Sequence, residues 1–275
     1  MLREAFEYLT TPCDPLARRL GYLGETVALG ARYRRQSRAW APHVAACRRF
    51  VTQAMERALQ GEKTGGRAMV AGSGLLIELP LEELATRFDE LVLVDILHAR
   101  SVRRRVARLP NVRLVAMDVT GALVPLAAAL DAGRALPTDF TPPPAPGGRF
   151  AFAVSCNLFS QLPLMPLEAV ERRVPALPDA DRLAFAQRLA RDHLEWLAGA
   201  ADSAALFTDT ENLWLRGGAV LEREDSAWGL ALPAPDVSWL WDIAPAPEQH
   251  RRNDLRHSVG AWFDVRTVTS ALSFC

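Results

Sequence analysis

The run Met69-Val-Ala-Gly-Ser-Gly-Leu-Leu76 constrains this chain more than any other feature. An apolar strand breaks at Gly72-Ser73-Gly74, and a second apolar run, Leu91-Val-Leu-Val, ends in Asp95. A βαβ unit written this way brings bare backbone to a ligand at the glycines, where missing side chains permit positive φ. Its acid then takes the ribose hydroxyls of a nucleoside. The glycine turn and Asp95 are therefore expected to share one ligand.

The surrounding pattern alternates. Apolar runs at Ala68–Ala71, Leu91–Val94, Val112–Met117, Phe150–Ser155 and Ala204–Thr208 predict strands. Helical stretches at Pro80–Phe88, His98–Leu109, Gly121–Arg134 and Asp179–Ala198 separate them. Strands alternating with helices imply a parallel sheet covered on both faces. Leu136–Gly148, with Pro142-Pro-Pro144, reads as a stiff loop entering the fourth strand. Val237–Ile243 and His257–Val265 are strand-like with no convincing helix between them, which predicts an antiparallel pair.

The first sixty or so residues read as helix, with Val44, Cys47, Val51, Met55 and Leu59 on one stripe from Trp40 onward. Asp14-Pro15 has the form of a cap followed by proline at the first helical position. Gly61–Gly66 ends the helical pattern. The expected division is a helical extension, or cap, over residues 1–62 and an α/β domain over 63–275.

Taken together, these features make the chain resemble the Rossmann-like S-adenosylmethionine-dependent methyltransferases from about Arg67 onward. The resemblance implies a parallel sheet with helices on both faces and an antiparallel carboxyl-terminal strand pair. It implies that Gly72, Ser73 and Gly74 accommodate the methionine end of the cofactor and that Asp95 holds the ribose. Asp118, ending the third strand, would read the adenine amino group with Met117 or Val119 against the ring. Ser155, at the end of the fourth strand, would sit beside the cofactor, with Asn157 and Gln161 at the acceptor. The chain departs from the family pattern in lacking a third glycine in the turn. It also lacks an Asn-Pro-Pro-aromatic run after the fourth strand, which argues against adenine or glutamine N-methylation. Methyl transfer requires orientation more than a dedicated catalytic group, so no catalytic residue is assigned.

The expected activity is methyl transfer from S-adenosylmethionine to a small-molecule acceptor. One alternative is a noncatalytic member of the fold that binds a partner or keeps the nucleoside as a structural ligand. The other, an NAD(P)-dependent oxidoreductase, is disfavoured because Ile77 stands where a dinucleotide fingerprint needs glycine or alanine. Lys plus Arg and Asp plus Glu balance at 32 each, so no global field draws nucleic acid or a membrane surface. Arginines in Tyr33–Trp40 and Arg100–Arg108 read as solvated helix faces, with Trp40 as a core anchor. His98, Ser160, Asp209, Glu211, His43 and His257 are weaker polar candidates, and Trp214, Trp228, Trp239 and Trp241 read as strand packing or an acceptor pocket. Cys13, Cys47, Cys156 and Cys275 show neither paired spacing nor histidine partners, so no metal site or disulfide is expected and the thiols read as cytoplasmic and reduced. Nothing bears on oligomeric state.

Overall fold

A computed structural model describes residues 2–134 and 136–272; Cys275 lies outside the described residues. In chain order the elements are α1 (Leu2–Thr10), α2 (Pro15–Arg19), α3 (Tyr22–Leu59), β1 (Gly65–Ala71), α4 (Leu81–Arg87), β2 (Phe88–Asp95), α5 (Arg100–Val106), β3 (Val112–Ala116) and α6 (Leu123–Asp131). They continue with β4 (Phe150–Cys156), α7 (Leu164–Arg173), α8 (Asp179–Ala200), β5 (Ala201–Arg216), β6 (Ala219–Asp225), β7 (Val237–Ala244), β8 (Asp254–Trp262) and α9 (Val265–Leu272).

The sheet runs β3-β2-β1-β4-β5-β8-β7, with β6 paired to the far end of β5. Strands β1 to β5 are parallel neighbours, whereas β8 is antiparallel to both β5 and β7. The parallel sheet and its antiparallel close are as expected. Chain order reverses between β1 and β4, and open α/β sheets bind ligands in the crevice outside such a reversal.

Side-chain alternation divides the interior into two layers. Val70, Leu91, Leu93, Val154 and Phe207 face α3, α4 and α5. Met69, Val92, Val94, Ala153 and Leu206 face α8 and α9. Covering both faces explains why these strands read as continuous apolar runs.

The amino-terminal segment belongs to this core. Asp14 caps α2 by accepting from the Leu16 and Ala17 backbone N–H groups at 2.8 and 3.3 Å, with Pro15 in the first turn. Helix α3 bends at Gln36, just upstream of Pro42, which cannot donate to the helix ladder. Beyond the bend Trp40 is buried, donates its indole N–H to the Ile243 carbonyl at 2.9 Å, and meets Trp241 edge-on. Burying a side chain of that size contributes on the order of 3 kcal/mol. The arginines beside it are paired on the surface: Arg34 with Glu4, and Arg35 with Glu248.

Three elements depart from expectation. β5 extends eight residues past Thr208 and forms a hairpin with β6 through Gly217-Gly218, both at positive φ. The eighth strand stops at Trp262, and Asp264 opens α9 by accepting from the Arg266 N–H. Helix α7, which buries Pro166, Ala169 and Val170 at helical spacing, was not among the expected helices. Among the described residues no helix is long and apolar enough to cross a membrane.

Candidate functional site

The reversal between β1 and β4 is lined by the glycine turn. Gly72 and Gly74 take φ of +74° and +50°, in the left-handed region that favours glycine. The two differ in surroundings. A Cβ on Gly72 would lie 2.7 Å from the Cys156 carbonyl oxygen, so this glycine lets the ends of β1 and β4 approach. A Cβ on Gly74 would meet nothing closer than the Gly72 carbonyl at 3.9 Å, so its open side is free for a ligand. Between them the Ser73 hydroxyl is buried without a hydrogen-bond partner.

Asp95 reaches this turn directly. One carboxylate oxygen accepts from the Gly74 N–H at 2.7 Å and the other from the Ile96 N–H at 2.8 Å. Burial pushes its pKa up, and burial pushes that of the neighbouring His98 down, so His98 is neutral near pH 7. Both ring nitrogens of His98 are buried without a hydrogen bond of good geometry. The Ser73 hydroxyl, buried without a partner beside Asp95, is the polar group here that the fold leaves unsatisfied.

Asp118 lies on the same rim, past the end of β3, but its oxygens are occupied. One accepts from the Thr120 N–H and hydroxyl at 2.8 and 2.6 Å, and the other from the Leu123 N–H at 2.9 Å. It therefore ties the turn to the start of α6. Tyr22, which opens α3 after Gly21, was not a sequence candidate. Burial, then the charges of Asp118 and Asp95, push its phenol pKa up, and its ring packs with Leu20, Ile96 and Leu123 at this end of the rim. Leu16 and Leu20 pack with Ile96 and Leu123, so the amino-terminal segment covers this end of the rim.

Past β4 the candidate residues Ser155 and Asn157 already have partners within the fold. Ser155 is fully buried and bonds to His193 of α8 at 2.8 Å, because alternation turns it to the face away from the glycine turn. Val119 is 5 % exposed and packs into the layer that α8 and α9 cover. Asn157, at φ +50°, is buried; its amide donates to Asp209 Oδ2 at 3.2 Å and its carbonyl accepts the Asp209 N–H at 2.9 Å. That makes it a clasp between the ends of β4 and β5 rather than an open acceptor contact. Gln161 is exposed on the turn after β4. Asp209 Oδ2 also lies 3.0 Å from His257 Nδ1, while Asp209 Oδ1 is buried without a partner.

Reading the cysteines as lacking histidine partners fails for Cys47. Its sulfur lies 3.4 Å from Nε2 of His43, one helical turn earlier on α3, and that nitrogen is 2.8 Å from Glu78 Oε1. The signal available in the sequence was the four-residue spacing of His43 and Cys47, which puts both on one helix face. Glu78 carries no such signal, since only the fold of the Leu75–Leu79 loop brings it there. Of the tryptophans, Trp239 donates to His43 Nδ1 at 3.0 Å and Trp241 stacks on the same ring.

No protein-family model matches the chain, and no curated protein sequence matches it. Several solved structures are similar to it. One is the N-methyltransferase NodS of Bradyrhizobium japonicum WM9 in complex with S-adenosyl-L-homocysteine, at 11 % identity over 76 % of this chain and 84 % of that one, TM-score 0.33. Another is the 1,6-didemethyltoxoflavin-N1-methyltransferase of Burkholderia thailandensis, at 14 % identity over 87 % and 90 %, TM-score 0.34. A third is CalS10, an amino pentose methyltransferase of Micromonospora echinaspora, at 16 % identity over 88 % and 86 %, TM-score 0.34. Superpositions at this level add no weight, and the fold stands on the strand order described above.

Proposed function

We propose that the chain is an S-adenosylmethionine-dependent methyltransferase acting on a small molecule. The observation that carries this reading is the Asp95–Gly74 hydrogen bond at the reversal between β1 and β4, which joins the acid and the open glycine at one crevice. The unpartnered Ser73 hydroxyl fits a polar ligand there. Gly74 and Ser73 would hold the methionine end of the cofactor and Asp95 its ribose. Residues 1–62, through Leu16, Leu20 and Tyr22, would close over the adenosine as a cap on the domain formed by 63–275. The bound sulfonium supplies an activated methyl group; the chain's own part is to orient the acceptor and exclude water.

The supporting role assigned to Asp118 is to fix the loop before α6, leaving adenine to be gripped by shape and by the cap. The oxygens of Asp118, like those of Asp95, already accept hydrogen bonds from the chain itself, and this is the observation that favours the second reading, a noncatalytic member of the fold. Thermal unfolding tests the proposal. S-adenosylhomocysteine at about one hundred times its Kd adds roughly 2.7 kcal/mol. In a chain of this size that raises Tm by about 5–10 °C. NADH should leave Tm unchanged. Binding without turnover across a broad panel of small nucleophiles would select the noncatalytic reading, and a shift with NADH alone would reject both.

A further inference from the structure

We infer that His43, Cys47 and Glu78 form a binding site for a zinc-type divalent cation beneath α3, a site independent of the nucleoside proposal. One nitrogen, one sulfur and one carboxylate oxygen lie within 4.8 Å of one another. Tetrahedral zinc, with bonds of about 2.0 Å to nitrogen or oxygen and 2.3 Å to sulfur, spaces its ligands within that range. The mixed donor set suits zinc or cobalt rather than magnesium or calcium, which want oxygen alone.

The surroundings are those of a built site. His43 and Cys47 are fully buried on one face of α3, one turn apart, whereas the Glu78 side chain keeps 21 % of its surface open. Protein ligands thus close three positions and solvent can reach the fourth, the pattern of a site with an exchangeable ligand. Among the described residues, His43 is the only ion-pair partner of Glu78. The His43 ring is clamped flat on Trp241, with centroids 4.0 Å apart and planes 7° apart.

The hydrogen bonds define what the cation must displace. The Trp239 indole N–H donates to His43 Nδ1, which leaves the ring proton on Nε2, and that N–H donates to Glu78. Coordination through Nε2 moves the ring proton to Nδ1, where Trp239 can no longer donate. The Cys47 thiol proton leaves to solvent, and Glu78 exchanges the ring N–H for the metal. Trp239 therefore competes with the cation for this histidine.

The test uses the full chain, stripped with a chelator and titrated with Zn²⁺ or Co²⁺ salts. The wild type should bind one equivalent of Zn²⁺, and its Co²⁺ form should show a thiolate-to-cobalt charge-transfer band. Cys47→Ser should abolish that band, and His43→Ala should weaken Zn²⁺ binding by about 100-fold or more, the upper range seen when supporting shells alone are disturbed. Glu78→Gln, at a partly open position, guards against loss of folding and should weaken binding by about 10-fold. Trp239→Phe should tighten it, an effect that a satisfied core histidine does not predict. Retention of the same stoichiometry and affinity in Cys47→Ser, absence of the charge-transfer band, or weaker binding in a folded Trp239→Phe would each overturn the assignment.

Discussion

Replacing each glycine of the turn by alanine separates its structural from its ligand-binding duties. At Gly72 two costs combine. An L side chain at φ +74° costs roughly 1–2 kcal/mol. The new Cβ would also lie 2.7 Å from the Cys156 carbonyl oxygen, a backbone atom held in the sheet, and overpacking of that kind adds roughly 1–3 kcal/mol. Gly72→Ala should therefore lose about 2–5 kcal/mol, or roughly 4–20 °C in Tm at about 2–4 °C per kcal/mol. At Gly74 only the conformational cost applies, because the added methyl projects into open space. Gly74→Ala should cost about 1 kcal/mol, yet its methyl would stand where the ligand is proposed to lie. Differential scanning fluorimetry with and without S-adenosylhomocysteine reads both effects. Gly72→Ala should unfold early, whereas Gly74→Ala should melt near the wild type and lose the ligand-induced shift. Equal destabilisation by the two, or a full ligand shift in Gly74→Ala, would refute the division of roles.

Other substitutions probe the surrounding structure. Burial pushes the His193 pKa down to about 4 from the usual 6.5, so the unfolded chain binds the extra proton in that window. Stability is complete above pH 6.5 and falls as pH drops toward 4, by about 3 kcal/mol at about 1.4 kcal/mol per pH unit. Thermal melts of wild type and His193→Gln between pH 7 and 4 should show that slope only in the wild type; identical slopes would show that His193 does not charge on unfolding. Asp118→Ala removes the acceptor for Thr120 and Leu123, and should cost about 1–2 kcal/mol by urea unfolding while leaving S-adenosylhomocysteine affinity within about threefold. A larger loss of affinity would restore Asp118 to the adenine-reading role.

The sheet was legible because its physics is local. Parallel strands buried on both faces must be apolar, and the central strands announce themselves that way, as does the break at Gly72-Ser73-Gly74; β3, at the sheet edge, is half-exposed yet still reads as an apolar run. The β5–β6 hairpin was not legible: every residue of β6 is exposed, so it shows no apolar alternation to mark Gly217-Gly218 as its two-residue turn. Side-chain direction past β4 was not legible. Whether Ser155 faces a ligand or α8 turns on a single step of strand alternation, and its partner His193 lies thirty-eight residues away. The same limit hid Tyr22 and Glu78. Neither sits in a motif, and each reaches its neighbours only once α3 and the loop before α4 have closed over the strand ends.

Isothermal titration of S-adenosylhomocysteine into the wild type and Asp95→Asn tests the proposed nucleoside grip most directly. One molecule should bind each wild-type chain. The carboxamide should weaken it by about 10–150-fold, the loss expected when hydrogen bonds to a charged acceptor become neutral ones. Absence of binding to the folded wild type, or equal affinity in the two proteins, would contradict the account.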